Sequence, residues 1–134
     1  MWLGLLAGVA LIATPAPFAT LAAADAGRVV RHIFGVEAPT SLALGVLLLM
    51  LERRAGLARH GATGDSQFTT EMMCVLGALF CTVLGYYGLQ PLMAQARTGA
   101  GAAGTGFARL HVASTALFGL KGLLVGTLAW RAAR

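Results

Sequence analysis

Apolar residues along the chain are gathered into four long runs, separated by short polar or glycine-rich segments. The runs cover residues 2–23, 29–51, 72–93 and 107–130. Each has about the 20 residues that a helix needs to cross the ~30 Å hydrocarbon layer of a membrane. Because lipid offers the backbone no hydrogen-bond partners, spans of this length are expected to be helical. The pattern predicts an all-α fold, a single domain that forms an integral membrane four-helix bundle.

The segments between the runs predict short connections. They comprise residues 24–28, a polar stretch over 52–68, and a glycine-rich stretch over 97–106. No strand precedes the glycine-rich stretch and no Lys-Ser/Thr follows it, so we interpret it as a flexible connector and not as a phosphate-binding loop. His60, in the second connection, has no sequence partners that suggest a site, and it is expected to be solvated.

Two prolines are expected to distort the first helix. Pro15 and Pro17 lack the N–H that an α-helix needs, so the helix should kink or break about two-thirds of the way along. The small residues near Ala23 resemble a signal-peptide cleavage region, but the run has no basic segment before it and is longer than a typical signal-peptide core. We expect the first helix to be retained.

The composition agrees with a membrane environment. Hydrophobic residues make up 57% of the chain and charged residues 11%, whereas soluble domains are about a quarter charged. The formal net charge of +5 would favour nucleic-acid binding in a soluble protein. Here, however, the basic residues lie at the edges of the apolar runs, where they meet lipid headgroups. We therefore attribute the charge to membrane topology and expect no nucleic-acid partner.

Four spans would place the amino terminus, the middle connection and the carboxyl terminus on one side of the membrane. That side carries five arginines and the opposite side four, namely Arg53, Arg54, Arg59, Arg131 and Arg134 against Arg28, Arg31, Arg97 and Arg109. Because basic residues are enriched on the cytoplasmic side, this favours a topology with both termini in the cytoplasm. Trp2 and Trp130 are expected to anchor the cytoplasmic interface, and Tyr86 and Tyr87 to lie nearer the other.

Two glycine motifs are candidate helix-packing sites. They are Gly4 with Gly8 in the first span and Gly122 with Gly126 in the fourth. Glycines four positions apart remove side chains from one face of a helix and let another backbone approach closely. We therefore expect both motifs to contact another helix.

Two charged residues lie deep inside the predicted spans, Glu37 in the second and Lys121 in the fourth. Intramembrane charges are costly and usually face a partner or a cavity. Glu37 is nine residues past Arg28, and Lys121 is twelve past Arg109, which gives depths of about 13 Å and about 18 Å on a helix. A lysine side chain can span that difference, so we predict that Glu37 and Lys121 meet near the membrane midplane.

Hydroxyl side chains extend this pair into a predicted polar seam between the second and fourth helices. Thr40 and Ser41 lie one turn beyond Glu37, and Ser114 lies two turns before Lys121 on the same face. The pair then has three interpretations. It is a buried ion pair that fixes the helix register, a proton or ion relay, or two charges that snorkel separately to the surface.

Basic residues also gather where the second and fourth helices begin, and they are Arg28, Arg31, His32, Arg109 and His111. They are candidates for binding an anionic lipid headgroup or an acidic partner, and ordinary anchoring at the interface is the alternative. Two facing histidines could also ligate haem or a metal, but no attachment sequence or metal-ligand cluster accompanies them. We expect no cofactor and no bound metal.

Sulfur-containing residues are concentrated in the third span. Cys74 and Cys81 are about 10 Å apart along a helix, too far for a disulfide bond or for joint ligation of one ion. Together with Met72, Met73 and Met93 they could handle a soft metal stepwise. Thiols and thioethers more often pack as hydrophobic groups, and packing is the interpretation that we favour.

Several stretches carry a family resemblance that extends over nearly the whole chain. They are WLG at 2–4, PAPF at 15–18, AGRVV at 26–30, IF at 33–34, CTVLGYY at 81–87, QPLM at 90–93, and FARLH at 107–111 followed by Ser114. Their order resembles a bacterial membrane-protein family, the domain of unknown function 4149, which is grouped with transmembrane-protein-205-like proteins. The resemblance implies a four-helix protein of the bacterial inner membrane with no established reaction. Related eukaryotic proteins have been connected to tolerance of platinum and other metals, but no ligand set transfers to this chain.

These observations favour a non-enzymatic membrane protein, a helix-packing or binding module that acts as an accessory subunit of a larger membrane complex or as a homo-oligomer. The short connections leave little mass outside the membrane for a catalytic domain. Membrane lipids, other membrane-protein subunits or a second copy of the chain are the expected partners. The competing hypothesis is a small transporter or metal-tolerance protein that uses Glu37, Lys121 and Cys74 or Cys81 along an internal path. A haem-linked membrane enzyme is a third possibility.

Overall fold

The computed structural model describes residues 1–59, 69–98 and 103–134, and these residues form helices without any β-strand. His60, whose solvation is predicted above, lies outside the described residues. The elements in chain order are α1 (Trp2–Gly8), a first π-helical segment (Val9–Ala13), α2 (Pro15–Thr20), α3 (Ala23–Arg59), α4 (Thr70–Thr82), a second π-helical segment (Val83–Leu89), α5 (Gln90–Thr98) and α6 (Ala103–Ala132).

Within the described residues, four helical stretches are long and apolar enough to cross a membrane. They are the first span Trp2–Thr20, the second span Ala23–Gly56, the third span Thr70–Ala96 and the fourth span Ala108–Ala132. The predicted all-α fold with four membrane-spanning helices is therefore confirmed.

The helices are longer than the apolar runs, so the predicted connections are too long. Residues 24–28 form the first turns of α3 and not a loop, because α3 begins at Ala23. Leu21, with φ −120° and ψ 157°, is extended and makes the turn between the first two spans. Asp25 lies in the first turn of α3, where the helix dipole favours a carboxylate. Apolar runs predict the membrane crossing but not where helical hydrogen bonding ends.

The other two connections are also shorter than predicted. α3 continues past Glu52 to Arg59. In the glycine-rich stretch, α5 extends to Thr98 and α6 already begins at Ala103. Residues 103–106 are thus helical, and the interpretation of 97–106 as one flexible connector is wrong for both of its ends.

Both π-helical segments end two residues before a proline. The first ends at Ala13, before Pro15, and the second ends at Leu89, before Pro91. Proline has no N–H to donate to the carbonyl four residues earlier. In the wider π-helical turn before it, a backbone N–H donates to the carbonyl five residues earlier. The N–H of Thr14 accordingly donates to the carbonyl of Val9 at 2.9 Å. The first span is interrupted at Thr14 as predicted, whereas the distortion before Pro91 was not predicted.

The four spans surround a central space in chain order. Each span packs against the next, and the fourth packs against the first, so the second and fourth spans face each other diagonally. The first span contacts α6 mainly along α1, whereas its π-helical segment and α2 contact α3. After Gly8, therefore, the first and fourth spans separate on one side of the bundle.

The hydrophobic core lies in the half of the bundle where the first span begins. Trp2, Leu6, Ala78 and Val125 are buried together there. We call this half the Trp2 end and the opposite half, with Arg31, the Arg31 end. Trp2 is only 5% exposed, so the prediction that it anchors the membrane interface is wrong. Its indole ring belongs to the core.

Trp130 has the exposure expected of an interface residue. It is 64% exposed, and the guanidinium carbon of Arg134 lies 5.0 Å from its ring centroid. Nearby, Arg131 Nε donates to Oε1 of Glu71 at 2.6 Å, which joins the third and fourth spans by an exposed ion pair.

The predicted glycine motifs are not where the helices of this chain approach most closely. A Cβ atom added to Gly4, Gly8 or Gly122 would meet no described atom within 4 Å, and one added to Gly126 would lie 3.9 Å from Cδ1 of Leu3. For Gly4, Gly8 and Gly122, the expected helix contact is therefore absent among the described residues of this chain.

The close approaches occur at other glycines. A Cβ atom at Gly45 would lie 2.5 Å from Cδ2 of Leu79, and one at Gly77 would lie 3.0 Å from Cδ1 of Leu124. Which glycine face is covered depends on how the neighbouring helices are arranged, and the spacing of the glycines does not encode that arrangement.

Candidate functional site in the bundle interior

Glu37 and Lys121 meet in the centre of the bundle. Lys121 Nζ donates to Oε1 of Glu37 at 2.6 Å. Glu37 is 5% exposed and Lys121 is 2% exposed, so both charges are withdrawn from lipid and paired, as intramembrane charges usually are. The contact predicted from helical depth is present, and it joins two spans that lie diagonally opposite.

The ion pair belongs to a regular alignment of the second and fourth spans. Both spans run from the Arg31 end to the Trp2 end, and the residues that pair are separated by 84 positions. One turn before the ion pair, Phe34 and Phe118 contact edge to face, with ring centroids 5.6 Å apart and an interplanar angle of 83°. An aromatic layer and an ionic layer thus bridge the centre of the bundle in succession.

A hydrogen-bond chain connects the ion pair to the core at the Trp2 end. Trp2 Nε1 donates to Oγ of Ser41 at 3.0 Å, and the Ser41 hydroxyl donates to Oε1 of Glu37. The same carboxylate oxygen therefore accepts from Ser41 and from Lys121. These four side chains come from three spans, and all are buried. They form one connected polar network, which fixes the relative positions of its members.

The predicted polar seam is only partly formed. Ser41 joins the ion pair, and Ser114 lines the cavity described below. Thr40 is exposed and its hydroxyl donates to the carbonyl of Val36 at 2.8 Å, which corrects its predicted place in the seam. On a helix, the third and fourth residues after Glu37 are rotated about 60° and about 40° to opposite sides of it. The buried face includes the fourth and excludes the third.

A cavity of about 450 Å³ lies between the four spans, on the Arg31 side of the ion pair. Glu37 and Lys121 form its base, and Phe34 and Phe118 line its walls. Cavities of about 300–1,000 Å³ with mainly apolar walls and a few polar groups are typical of small-molecule sites. The interior of the bundle therefore has the size and lining of a binding site.

The cavity reaches the surface of the bundle where the first and fourth spans separate. Ala10 and Phe18 of the first span and His111 and Thr115 of the fourth line it, and all four residues are exposed. The side opening follows from the interruption before Pro15, after which the first span packs against α3. Beyond the ion pair the core fills the interior, so the cavity is closed towards the Trp2 end.

The basic residues predicted to gather at the helix starts do not form one cluster. Arg31 and His111 line the cavity. Arg28 pairs with Asp25 within α3. His32 and Arg109 are exposed, and neither lines the cavity.

The two histidines accordingly do not share the cavity, which His111 lines and His32 does not. In the described part of the chain, no group of three or more His, Cys, Asp and Glu side chains is placed to hold a metal ion. Cys74 and Cys81 are both buried free thiols, and of the two only Cys81 lines the cavity.

Three polar groups around the cavity have unused hydrogen-bonding capacity towards the described residues. Both donors to Glu37 reach Oε1, and no described residue donates to Oε2. Within the described chain, the buried hydroxyl of Thr14 has no hydrogen-bond partner and Arg31 forms no ion pair. The cavity therefore offers both donors and an acceptor to a ligand.

Sequence reasoning missed Trp2, Thr14 and the two phenylalanines of this site. A signal for the phenylalanines was present in their spacing. Phe34 precedes Glu37 by three residues and Phe118 precedes Lys121 by three, which places each ring on the helix face of its charged neighbour. The contacts of Trp2 and Thr14 depend on the path of the interrupted first span, which the sequence pattern does not specify.

Comparison with known proteins identifies a family. A model of the protein family described as Domain of unknown function (DUF4149) matches residues 1–102. That range includes Glu37, Ser41 and Cys81, whereas Lys121 lies outside it. No curated protein and no solved structure matches the chain.

Proposed function

The chain belongs to the family of the domain of unknown function DUF4149, and we propose that it is a non-enzymatic binding module of the membrane, which holds a small ligand in its central cavity. The observation that carries this proposal is the cavity of about 450 Å³ that ends on a buried ion pair. A cavity of this size inside a four-helix protein is where membrane and soluble bundles build their ligand sites.

The chemistry of the cavity supports binding over catalysis. Lys121 and Glu37 are bonded to each other, so neither can exchange a proton without leaving its partner as an unpaired buried charge. The aromatic walls, Phe34 and Phe118, provide apolar contact area. Binding and orienting a ligand requires no more than this contact area and a few fixed polar groups.

Mass spectrometry of the intact protein, released from native membranes, tests this proposal. Ser114 lines the cavity, so Ser114→Trp should fill it. Val112, two residues away, is 67% exposed and does not line the cavity, so Val112→Trp is the matched control. We expect a small-molecule adduct on the wild type and on Val112→Trp and its loss from Ser114→Trp. The absence of an adduct from the wild type, or its persistence in Ser114→Trp, would contradict the proposal.

The outer surface supports an accessory-subunit or homo-oligomeric role for the same protein. The faces of Gly4, Gly8 and Gly122 have no close neighbours among the described residues. Gly4 and Gly8 lie in α1, which packs against α6, the helix of Gly122. Backbones of another chain could approach closely at such a surface. We propose that this surface contacts either a second copy or a larger membrane complex.

The same mass spectra test this assembly. Gly122→Leu should remove the associated subunits. Gly119→Leu is the control, because Gly119 is also open but does not belong to either glycine motif. A wild-type protein that is monomeric and free of partners would contradict the proposal.

Transport is the second candidate function, and the hydrogen-bond chain from Lys121 through Glu37 to Ser41 favours it. This chain leads from the base of the cavity towards the Trp2 end, where the core closes the interior. A transporter would have to open that core in a second conformation. The proton flux into proteoliposomes loaded with a pH-sensitive dye distinguishes transport from binding. A proton flux that depends on Glu37 would favour transport, whereas flux equal to that of empty liposomes would favour binding.

We propose that the host membrane is the bacterial inner membrane and that both termini are cytoplasmic. The excess of arginine on the side of the Trp2 end of the bundle, five against four on the opposite side, supports this orientation. Because both native cysteines are buried, an added cysteine can report the side. Arg134→Cys should resist a membrane-impermeant maleimide applied outside spheroplasts, and Thr20→Cys should react. The reverse result would invert the orientation.

A further inference from the structure

We infer that the cavity binds a single-chain amphiphile with an oxyanion headgroup, which enters from the lipid between α2 and α6 and is held by Arg31. This inference rests on the proposed binding function and names the chemical class of the ligand.

The charge of the cavity favours an anion. Glu37 and Lys121 cancel each other at the base, whereas Arg31 lines the cavity without an ion-pair partner among the described residues. The other described carboxylates cannot compensate it. Asp25 is paired with Arg28, and Glu71 is paired with Arg131. Glu52 lies 21 residues after Arg31 on α3, about 30 Å away along the helix. A guanidinium at a partly apolar site is a favoured partner of carboxylate and phosphate groups.

The route into the cavity indicates that the ligand comes from the membrane. The first span contacts α6 mainly along α1. Beyond Gly8 the cavity is lined by exposed residues of both spans, Ala10 and Phe18 of the first and His111 and Thr115 of the fourth. This opening lies in the side of the bundle, within the length of the spans, where the surrounding solvent is lipid. An amphiphile can enter through it without leaving the bilayer.

The size and lining of the cavity favour one apolar chain. At about 30 Å³ per water-sized group, 450 Å³ accommodates roughly fifteen such groups. One medium-length chain fits this volume, whereas a phospholipid with two acyl chains would have to leave one chain outside the cavity, in the surrounding lipid. Phe34, Leu117 and Phe118 provide the apolar walls, and Arg31, which is exposed, lies where the headgroup can remain at the membrane surface.

Equilibrium binding to the full chain in nanodiscs of neutral phosphatidylcholine tests the headgroup. Radiolabelled dodecanoic acid, dodecyl phosphate and dodecanol share one chain, and labelled acetate has the charge without the chain. We expect saturable binding of the acid and the phosphate above the background of empty nanodiscs. Because a charge-assisted hydrogen bond to arginine is lost, dodecanol should bind about tenfold more weakly. Acetate should show no saturable binding.

Variants of Arg31 identify the residue that recognises the anion. Arg31→Gln should weaken the binding of dodecanoic acid about tenfold and leave dodecanol unchanged, and Arg31→Lys should restore most of the affinity because it keeps the charge. Arg109→Gln is the matched control, since Arg109 is exposed and does not line the cavity. Thermal unfolding of each variant verifies that it is folded.

The outcomes separate this inference from the proposed function. If dodecanol binds as tightly as dodecanoic acid, or if Arg31→Gln binds the acid normally, the anionic class is wrong. The cavity would still be a binding site if Ser114→Trp abolished that binding. If acetate binds as tightly as dodecanoic acid, the single chain is wrong. If none of these probes binds, the ligand class is wrong, and the adduct on the native protein still decides the proposed function.

The side opening has its own test. Thr115 lies at the opening, and Thr115→Trp should slow the association of dodecanoic acid by about tenfold or more by blocking it. Val112→Trp, on the exposed surface of the same helix, should leave the association rate unchanged. Equal association rates in the two variants would overturn entry between α2 and α6.

Discussion

The rings of Phe34 and Phe118 meet edge to face across the centre of the bundle, with centroids 5.6 Å apart. One turn further, the same two spans are joined again by Glu37 and Lys121. The second and fourth spans are diagonal partners, so these contacts determine their separation. The interior on the Arg31 side is therefore held open by specific contacts at its base and along its walls.

The two rings should stabilise the fold jointly. Phe34→Leu, Phe118→Leu and the double variant form a thermodynamic cycle, and we expect a coupling of about 0.5–1.5 kcal/mol in the free energy of unfolding, which is typical of edge-to-face pairs. Reversible unfolding by dodecyl sulfate in mixed micelles measures it. Phe80→Leu is the control, because Phe80 is 65% exposed and should show no coupling to Phe118→Leu. Strict additivity of the first two substitutions would mean that the ring contact contributes nothing.

The buried ion pair should be costly to break on one side only. Glu37→Gln or Lys121→Met leaves a buried charge without its partner, and we expect each to destabilise the protein by about 3–5 kcal/mol. Replacing both should cost less than the sum of the single changes. For comparison, Glu71→Gln at the exposed pair with Arg131 should cost less than about 1 kcal/mol. Unfolding midpoints in mixed micelles give all four values, and a single variant as stable as the wild type would show that the pair is unimportant for stability.

Exchanging the two charges tests the pairing directly. The variant with Glu37→Lys and Lys121→Glu keeps both charges in contact but removes the acceptor to which Ser41 donates. We expect it to fold, with a stability above that of either single substitution and below that of the wild type. Circular dichroism and the unfolding midpoint report this order. Failure of the exchanged variant to exceed the single substitutions would show that the orientation of the pair matters more than its existence.

Trp2 should contribute through its indole N–H as well as through its ring. Trp2→Phe removes the donor to Ser41 but keeps an aromatic ring in the core, so we expect a loss of about 0.5–1.5 kcal/mol from the hydrogen bond, with a further cost from the smaller ring. Trp130→Phe, at the exposed tryptophan, should change stability by less than about 0.5 kcal/mol. Equal effects of the two substitutions would argue that the hydrogen bond to Ser41 is not formed.

The sequence predicted the fold and the central contact for a clear physical reason. The length of an apolar run determines whether a helix can cross the membrane. Helical rise then gives the depth of Glu37 and Lys121 from the arginines at one interface. Both quantities are local, and both spans run in the same direction, so the two side chains could be placed at nearby depths without knowledge of the tertiary structure.

The cavity could not be predicted in the same way. Its side opening depends on the direction that the first span takes after Thr14, and a proline pattern predicts an interruption without its direction. The role of Trp2 was missed for a related reason, since tryptophan near the end of an apolar run is equally compatible with an interface and with a core. Which glycine faces are covered likewise depends on the neighbouring helix and not on the motif.

Gly45 should tolerate a side chain less well than the glycines of the predicted motifs. In Gly45→Ala the added Cβ would lie 2.5 Å from Leu79 and 3.2 Å from Trp2, so the core must shift, and we expect a loss of about 1–3 kcal/mol in mixed-micelle unfolding. Gly4→Ala meets no described atom within 4 Å and should be neutral or stabilise the helix by up to about 1 kcal/mol. Combining Gly45→Ala with Leu79→Ala should cost less than the sum of the two single changes, because the second creates space for the first. If Gly45→Ala were as stable as Gly4→Ala, the second and third spans could not be as close as the structure places them.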